Sequence, residues 1–265
     1  MPYASNRSTR IRYEVEGRGP PLVMMHGISS NMQLWRENGY TEQLAGDYRL
    51  ILLDARGHGA SDKPHSPGEY RADLIAGDVV AVLEDLGVKK AHYLGYSMGA
   101  AIGFFCLARY ALARFDSLIL GGYRPYRPRT EQERQGHSQL RRAFEVGVEK
   151  GVDAYIAERE RIIGRPMPTS WRARQRVNDF RALVAMIDAM MQWPSAEELL
   201  PTMTMPCLVY AGDKDNLYSG AKEGASRMPN ATFVSLPGLD HQQAQERIDL
   251  VLPHIKKFLA EVSKP

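Results

Sequence analysis

The stretch Ala91-His92-Tyr93-Leu94-Gly95-Tyr96-Ser97-Met98-Gly99-Ala100-Ala101-Ile102 decides how the rest of the chain is read. Ala91 to Leu94 reads as a buried strand, and the apolar run from Ala100 to Leu107 as a buried helix. A strand that reverses into a helix within two residues forces the turning residue into a strained backbone conformation, and small residues are needed two positions to either side. Gly95 and Gly99 occupy those positions, which makes Ser97 the strained residue. Its hydroxyl is then exposed above the sheet, at the positive end of the following helix. The five residues form a G-x-S-x-G pattern, a weak signal alone and a stronger one between a strand and a helix.

Outward from this turn, Pro21 to Met25, Leu50 to Leu53, Ser117 to Gly122, Pro206 to Ala211 and Thr232 to Leu236 are short apolar runs that read as buried strands. Ile11 to Glu16 alternates apolar and polar residues, as expected of a strand with one wet face. Ile75, Val79, Val82, Leu83 and Leu86 follow helical spacing, and Gly87 is placed to end that helix. A last helix is expected from about Asp249, with Pro253 in its first turn. Strands alternating with helices predict an α/β fold: a mostly parallel sheet with helices on both faces and an antiparallel amino-terminal edge. Between Tyr123 and Pro201 no comparable strand occurs, and arginine-rich helical stretches dominate. The expected division is a core over residues 1–122 and 202–265 with a helical insert over 123–201. Ser195-Ala196-Glu197-Glu198 reads as a capping box that starts a helix near the end of the insert.

The whole chain has 265 residues and a net charge of +3, too small for a general attraction to nucleic acid or acidic membrane. Residues 124–200 hold 14 Lys and Arg against 11 Asp and Glu, so the surplus belongs to the insert and reads as a solvated helical surface. Cys106 and Cys207 fall in apolar runs and read as buried free thiols rather than a disulfide or a metal site. The stretch Met1 to Arg7 lacks the apolar run of a leader, and no segment approaches membrane-spanning length; the expected location is the cytoplasm.

In such a sheet the ligand site lies at the carboxyl ends of the strands. A serine nucleophile there needs a base, and the base needs a carboxylate. His241, in the loop after the last strand, is the base the sequence offers. Asp213 and Asp215 both follow the preceding strand, and spacing does not separate them; the plainer role for Asp213 is a turn residue bonding nearby N–H groups. The N–H groups of Met98, after the nucleophile, and Ile28, in the loop after an earlier strand, are the expected oxyanion donors. His26 reads as structural, pinning that loop. His58, His65, His92, His137 and His254 show no metal-ligand spacing, and neither metal nor cofactor is expected. Trp35, Met186, Met190 and Trp193 are candidate pocket residues for which core packing is the competing and preferred reading.

His26-Gly27, Asp54 to Ser61, Gly95 to Gly99, Gly212 to Asp215 and His241 together resemble the α/β-hydrolase family over nearly the whole chain, most of all the small bacterial esterase, enol-lactonase and cofactor-free haloperoxidase branch. The resemblance implies an eight-stranded sheet, a helical cap between the sixth and seventh strands, and a Ser97-Asp215-His241 triad. Serine at position 97 argues against the branches with an aspartate nucleophile. Asp240, where many relatives have glycine, is a departure that bears on the base beside it. The expected activity is cleavage of a small, largely apolar carboxylic ester or lactone through an acyl-enzyme. Carbon–carbon bond hydrolysis or perhydrolysis by the same triad is the alternative, and a slow-turnover ligand-binding or sensing protein the alternative of another class.

Overall fold

A computed structural model describes residues 2–263; Met1, the first residue of the amino-terminal stretch read above, lies outside them. Eight strands form one sheet: β1 (Tyr3–Asn6), β2 (Thr9–Glu16), β3 (Pro21–Met25), β4 (Arg49–Leu53), β5 (Ala91–Tyr96), β6 (Phe115–Gly121), β7 (Cys207–Gly212) and β8 (Ala231–Leu236). Their order is β1-β2-β4-β3-β5-β6-β7-β8. β3 to β8 run parallel, while β2 is antiparallel to β4 and β1 to β2. β1, at Tyr3–Asn6, is the strand of the antiparallel edge that the sequence pattern did not locate.

Alternation along each strand feeds two apolar layers, because successive side chains leave a strand on opposite faces. Leu22, Met24, Leu50, Leu52, Leu94 and Leu208 enter one layer, which the helix Ile248–Val262 closes with Val251, Ile255 and Leu259. Val23, Met25, Ile51, Leu53, Tyr93 and Leu118 enter the other, under the helix Ala72–Asp85. Gly87, at φ +64°, lets the chain leave that helix in the left-handed region. The carboxyl-terminal helix begins at Ile248, so Pro253 falls in its second turn, not its first, and removes one backbone bond there.

The segment between β6 and β7 holds the helices Glu131–Lys150, Val152–Ile163, Thr169–Gln175 and Phe180–Met190. They share a third apolar centre of Phe144, Tyr155, Ile156, Trp171, Leu183 and Ile187. The capping box of this segment is at Thr130 and Glu133, which exchange side-chain and backbone bonds at the start of the first helix. The one expected at Ser195 does not form. Ser195 Oγ instead accepts from Glu197 N–H at 3.3 Å, Glu198 turns to Arg109, and only a short 3-10 turn follows at Leu200–Thr202. Among the described residues no helix is long and apolar enough to cross a membrane.

Strand order reverses at β3, which has β4 on one side and β5 on the other. The crevice outside the carboxyl ends of β3 and β5 is the topological switch point of this sheet. Gly99 is pressed there against the end of β3, where an added Cβ would collide with the carbonyl oxygen of Met25. Gly46, by contrast, has nothing within 4 Å of such a Cβ. Gly99→Ala is expected to destabilise the fold by at least about 2 kcal/mol, as overpacking against backbone does, while Gly46→Ala stays within about 0.5 kcal/mol of the parent. Urea unfolding of the two variants checks this; equal stabilities would contradict it.

Candidate active site

β5 ends at Tyr96, and Ser97 turns the chain with φ +53° and ψ −114° before the helix that starts at Met98. A non-glycine residue in this region is strained and persists only where its surroundings hold it. Ser97 N–H donates to Gly121 O at 2.8 Å, and Ala101 N–H donates to Ser97 O at 2.9 Å. A Cβ at Gly95 would stand 2.5 Å from the backbone of Gly99, so the turn closes only with both glycines.

His241 reaches this turn from the loop after β8. Its Nε2 is 2.9 Å from Ser97 Oγ, and its Nδ1 is 2.6 Å from Asp215 Oδ2. A carboxylate at Nδ1 fixes the proton there and leaves Nε2 free to accept the serine hydroxyl. Asp215 is held in turn by the Leu217 N–H, which donates to its Oδ1 at 2.9 Å. Asp213 serves the loops instead, since its Oδ1 accepts from Gly238 N–H at 2.8 Å and ties the β7 turn to the loop that carries His241. Tyr96 donates its hydroxyl to the carbonyl of His241, so the residue before the serine also positions the histidine.

Burial works against a charged ring at His241, but the Asp215 carboxylate and its hydrogen bond outweigh burial and raise the pKa above its ordinary value. Asp240 adds to this with its charge, while Arg159 opposes it. Asp240 does not touch the ring. Its Oδ1 accepts from the N–H groups of Gln242 and Gln243 at 2.9 and 2.8 Å, and its Oδ2 lies 3.7 Å from Arg165 of the helical segment.

The backbone N–H groups of Ile28 and Met98 have no hydrogen-bond partner among the described residues, and both residues line one cavity with Ser97. The loop that carries Ile28 is fixed by two neutral histidines. His26 Nε2 accepts from Ala55 N–H at 3.1 Å, and His58 Nε2 accepts from Ser29 N–H at 3.2 Å. Burial pushes them down to about 4 and about 3, respectively. Ser29, at φ +58°, is also gripped from the helical segment: Asn178 Nδ2 donates to its carbonyl at 2.9 Å and the Tyr155 hydroxyl to its Oγ at 3.3 Å. The roles of His58, Tyr96, Tyr155 and Asn178 leave no mark in the sequence, because each depends on a partner brought close only by the fold.

The cavity above Ser97 measures about 250 Å³. Of the four candidate pocket residues only Met190 lines it. Trp35 is fully buried on the opposite layer, edge-on to Tyr40 with ring centroids 5.1 Å apart. Met186 is enclosed in the core, and Trp193 is buried with its Nε1 donating to Tyr70 O at 2.8 Å. A large apolar residue near the site has two apolar places to go, and three of the four went to the core. The lining is also less apolar than expected: Ile28, Leu140, Ile162, Ile187 and Leu217 share it with Arg124, Glu133, His137, Gln139, Arg159 and Asn216. Among the described residues no group of three His, Cys, Asp or Glu side chains is placed to hold a metal ion.

A family model described as the alpha/beta hydrolase fold matches residues 20–146. A Synechocystis protein named as a putative non-heme chloroperoxidase is 28% identical over 98% of this chain and 100% of its own length. Among solved structures, a thermophilic esterase from Thermogutta terrifontis is 25% identical with a TM-score of 0.82, covering 98% of this chain and 97% of that one. An esterase from Rhodococcus sp. ECU1013 is 26% identical with a TM-score of 0.84, covering 98% of both chains. The family match and the architecture give this chain the α/β-hydrolase fold, and over nearly its whole length it is similar to small bacterial esterases and to a protein named as a putative chloroperoxidase.

A raised folded-state pKa at His241 means that protonation of the ring favours the fold. That stabilisation is full below about 6.5 and is lost as the pH rises through the folded value. NMR titration is expected to place the His241 inflection above 6.5. In Asp215→Asn, where burial remains and the carboxylate is gone, it is expected below that value. An unmoved inflection would show that Asp215 does not set the charge state of the ring.

Proposed function

We propose that the protein is a serine hydrolase cleaving a small carboxylic ester or lactone, with residues 123–201 as the cap over its site. The hydrogen-bonded chain from Ser97 Oγ through His241 to Asp215 is the observation that carries this reading. In the reaction His241 Nε2 takes the proton from Ser97 as Oγ attacks the carbonyl carbon. The N–H groups of Ile28 and Met98 receive the charge that forms on oxygen. The tetrahedral intermediate collapses, His241 returns the proton to the leaving alcohol, and an acyl-enzyme remains. Water, deprotonated by His241, then attacks the acyl carbon, and the second intermediate collapses as His241 returns that proton to Ser97 Oγ and the acid leaves. In a lactone the leaving alcohol stays tethered to the acyl group.

Asp215 fixes the tautomer and supports the imidazolium formed at each step. The strained turn contributes by holding Oγ clear of the sheet before substrate arrives, so no reorganisation is needed at the moment of attack.

Labelling with a fluorophosphonate probe and turnover of p-nitrophenyl acetate test the reading. Ser97→Ala is expected to abolish labelling and to lower kcat by about 10⁶-fold, as loss of a triad serine does. Undiminished labelling of that variant would overturn the nucleophile. A single stoichiometric burst of p-nitrophenol with no further turnover would favour a ligand-binding protein on this fold.

A further inference from the structure

The cavity over Ser97 has two guanidinium groups in its wall and too few acceptors to satisfy them. Arg124 directly follows Tyr123 at the exit of β6 and is 1% exposed, yet none of its three side-chain nitrogens has a hydrogen-bond partner among the described residues. Its contact with an acid is Glu133, at 4.0 Å from Nε, too long for a hydrogen bond. Glu133 is already engaged: its Oε2 accepts from the N–H groups of Arg129 and Thr130 at 2.6 and 3.0 Å. Arg159, on the helix Val152–Ile163, also lines the cavity with a buried and unpartnered Nε.

The neighbouring arginines behave otherwise. Arg161 pairs with Glu158 and Arg172 with Glu160, at 2.8 and 2.6 Å. Arg165 Nη2 and Arg174 Nε and Nη1 also lack hydrogen bonds, but of the arginines with such nitrogens only Arg124 and Arg159 line the cavity above Ser97 among the described residues. A buried charge left without hydrogen bonds is destabilising, and a guanidinium presents five donors in a planar fork suited to a carboxylate. The acids that share the lining offer little in return, since Asp215 spends one oxygen on His241 and the other on Leu217 N–H. With Glu133 and Asp215 ionised and His241 neutral, the ionised lining side chains sum to zero charge. A singly charged planar group suits that balance better than a dianionic phosphate, and the volume of about 250 Å³ restricts it to a small molecule.

We propose that the ester or lactone hydrolysed at Ser97 carries a second, unreacting carboxylate, and that Arg124 and Arg159 hold it while the acyl carbon is attacked. This rests on the reading of Ser97 as nucleophile. The substrate class is thus the half-esters and acid-bearing lactones of short dicarboxylic acids, and the product a dicarboxylic acid. The anchor fixes the far end of the acyl chain and so aligns its carbonyl with Oγ and the two N–H groups.

The test compares p-nitrophenyl hemiglutarate with p-nitrophenyl pentanoate, which differ in the terminal carboxylate, each corrected for its enzyme-free rate. Wild type is expected to favour the half-ester by at least about tenfold in kcat/KM, and Arg159→Gln to lower that ratio by about 10- to 100-fold, the range for a hydrogen bond to a charged group. Arg159→Lys is expected to recover part of it. Taking the ratio cancels effects on His241, whose ring feels the Arg159 charge. Arg124→Gln should act in the same direction, and Arg159 carries the test if that buried substitution prevents folding. Calorimetric titration of wild type with glutaramate and pentanamide reads the anion site without turnover; the acid is expected to bind at least about tenfold more tightly. A wild-type ratio near one, or a ratio unmoved in Arg159→Gln, overturns the proposal while ester hydrolysis stands. Arg159-dependent glutaramate binding with no hydrolysis of either ester supports the anion site and overturns the hydrolase reading instead.

Discussion

Everything at the site depends on how closely the backbone of Gly99 approaches the carbonyl of Met25. That contact presses the start of one helix onto the end of the central strand, and it is open only to a residue without a side chain. With the helix so close, the chain has two residues in which to turn, and Ser97 takes a positive φ as the result. The strain is distributed over bonds to Gly121 and Ala101, which belong to the neighbouring strand and the helix itself. The position of Ser97 is thus a property of the sheet, set by the same packing that excludes water from the two layers beneath it.

The second constraint is electrical. His26 and His58 sit fully buried side by side, with ring centroids 5.2 Å apart, and both are kept neutral. Each uses Nδ1 on a backbone carbonyl and Nε2 as an acceptor for an N–H from another loop. Lysine or arginine could not accept in this way, and a carboxylate would bring a charge into a space with no counter-ion. The loops after β3 and β4 are joined by these two neutral rings and by the buried Asp54, whose Oδ1 accepts from Met32 N–H at 2.8 Å. On the opposite side of Ser97, Asp215 raises the proton affinity of His241.

Much of this was legible in the chain because the signals are local and backbone-driven. The turn at Ser97 is announced by its own glycines, and the buried strands by short apolar runs whose alternate residues serve both layers. Asp213 and Asp215 were not separable, since both lie in one turn after β7 and only the direction of the side chain distinguishes them: one bonds Gly238, the other His241. Ser195 matched a helix start, but Glu198 found an arginine 89 residues away and the helix never formed. Arg124 and Arg159 were hidden for a different reason. In a segment so rich in arginine, the sequence does not tell which guanidinium groups find acids on the surface and which are turned inward. Which apolar residue lines the cavity was hidden similarly, because Met186 and Met190 lie on one helix and serve the core and the cavity respectively.

Ser29 is held by the sheet side through His58 and by the helical segment through Tyr155 and Asn178. The residue next to Ile28 is thus a pin shared by the two halves of the molecule. Were the helices displaced, the two bonds to Ser29 would break, and Ser29 would keep only its bond to His58. The shape of the Ile28 loop is therefore set jointly by the sheet and by the helical segment, so a change in how the helices seat is felt beside Ser97 with no residue of the sheet having moved.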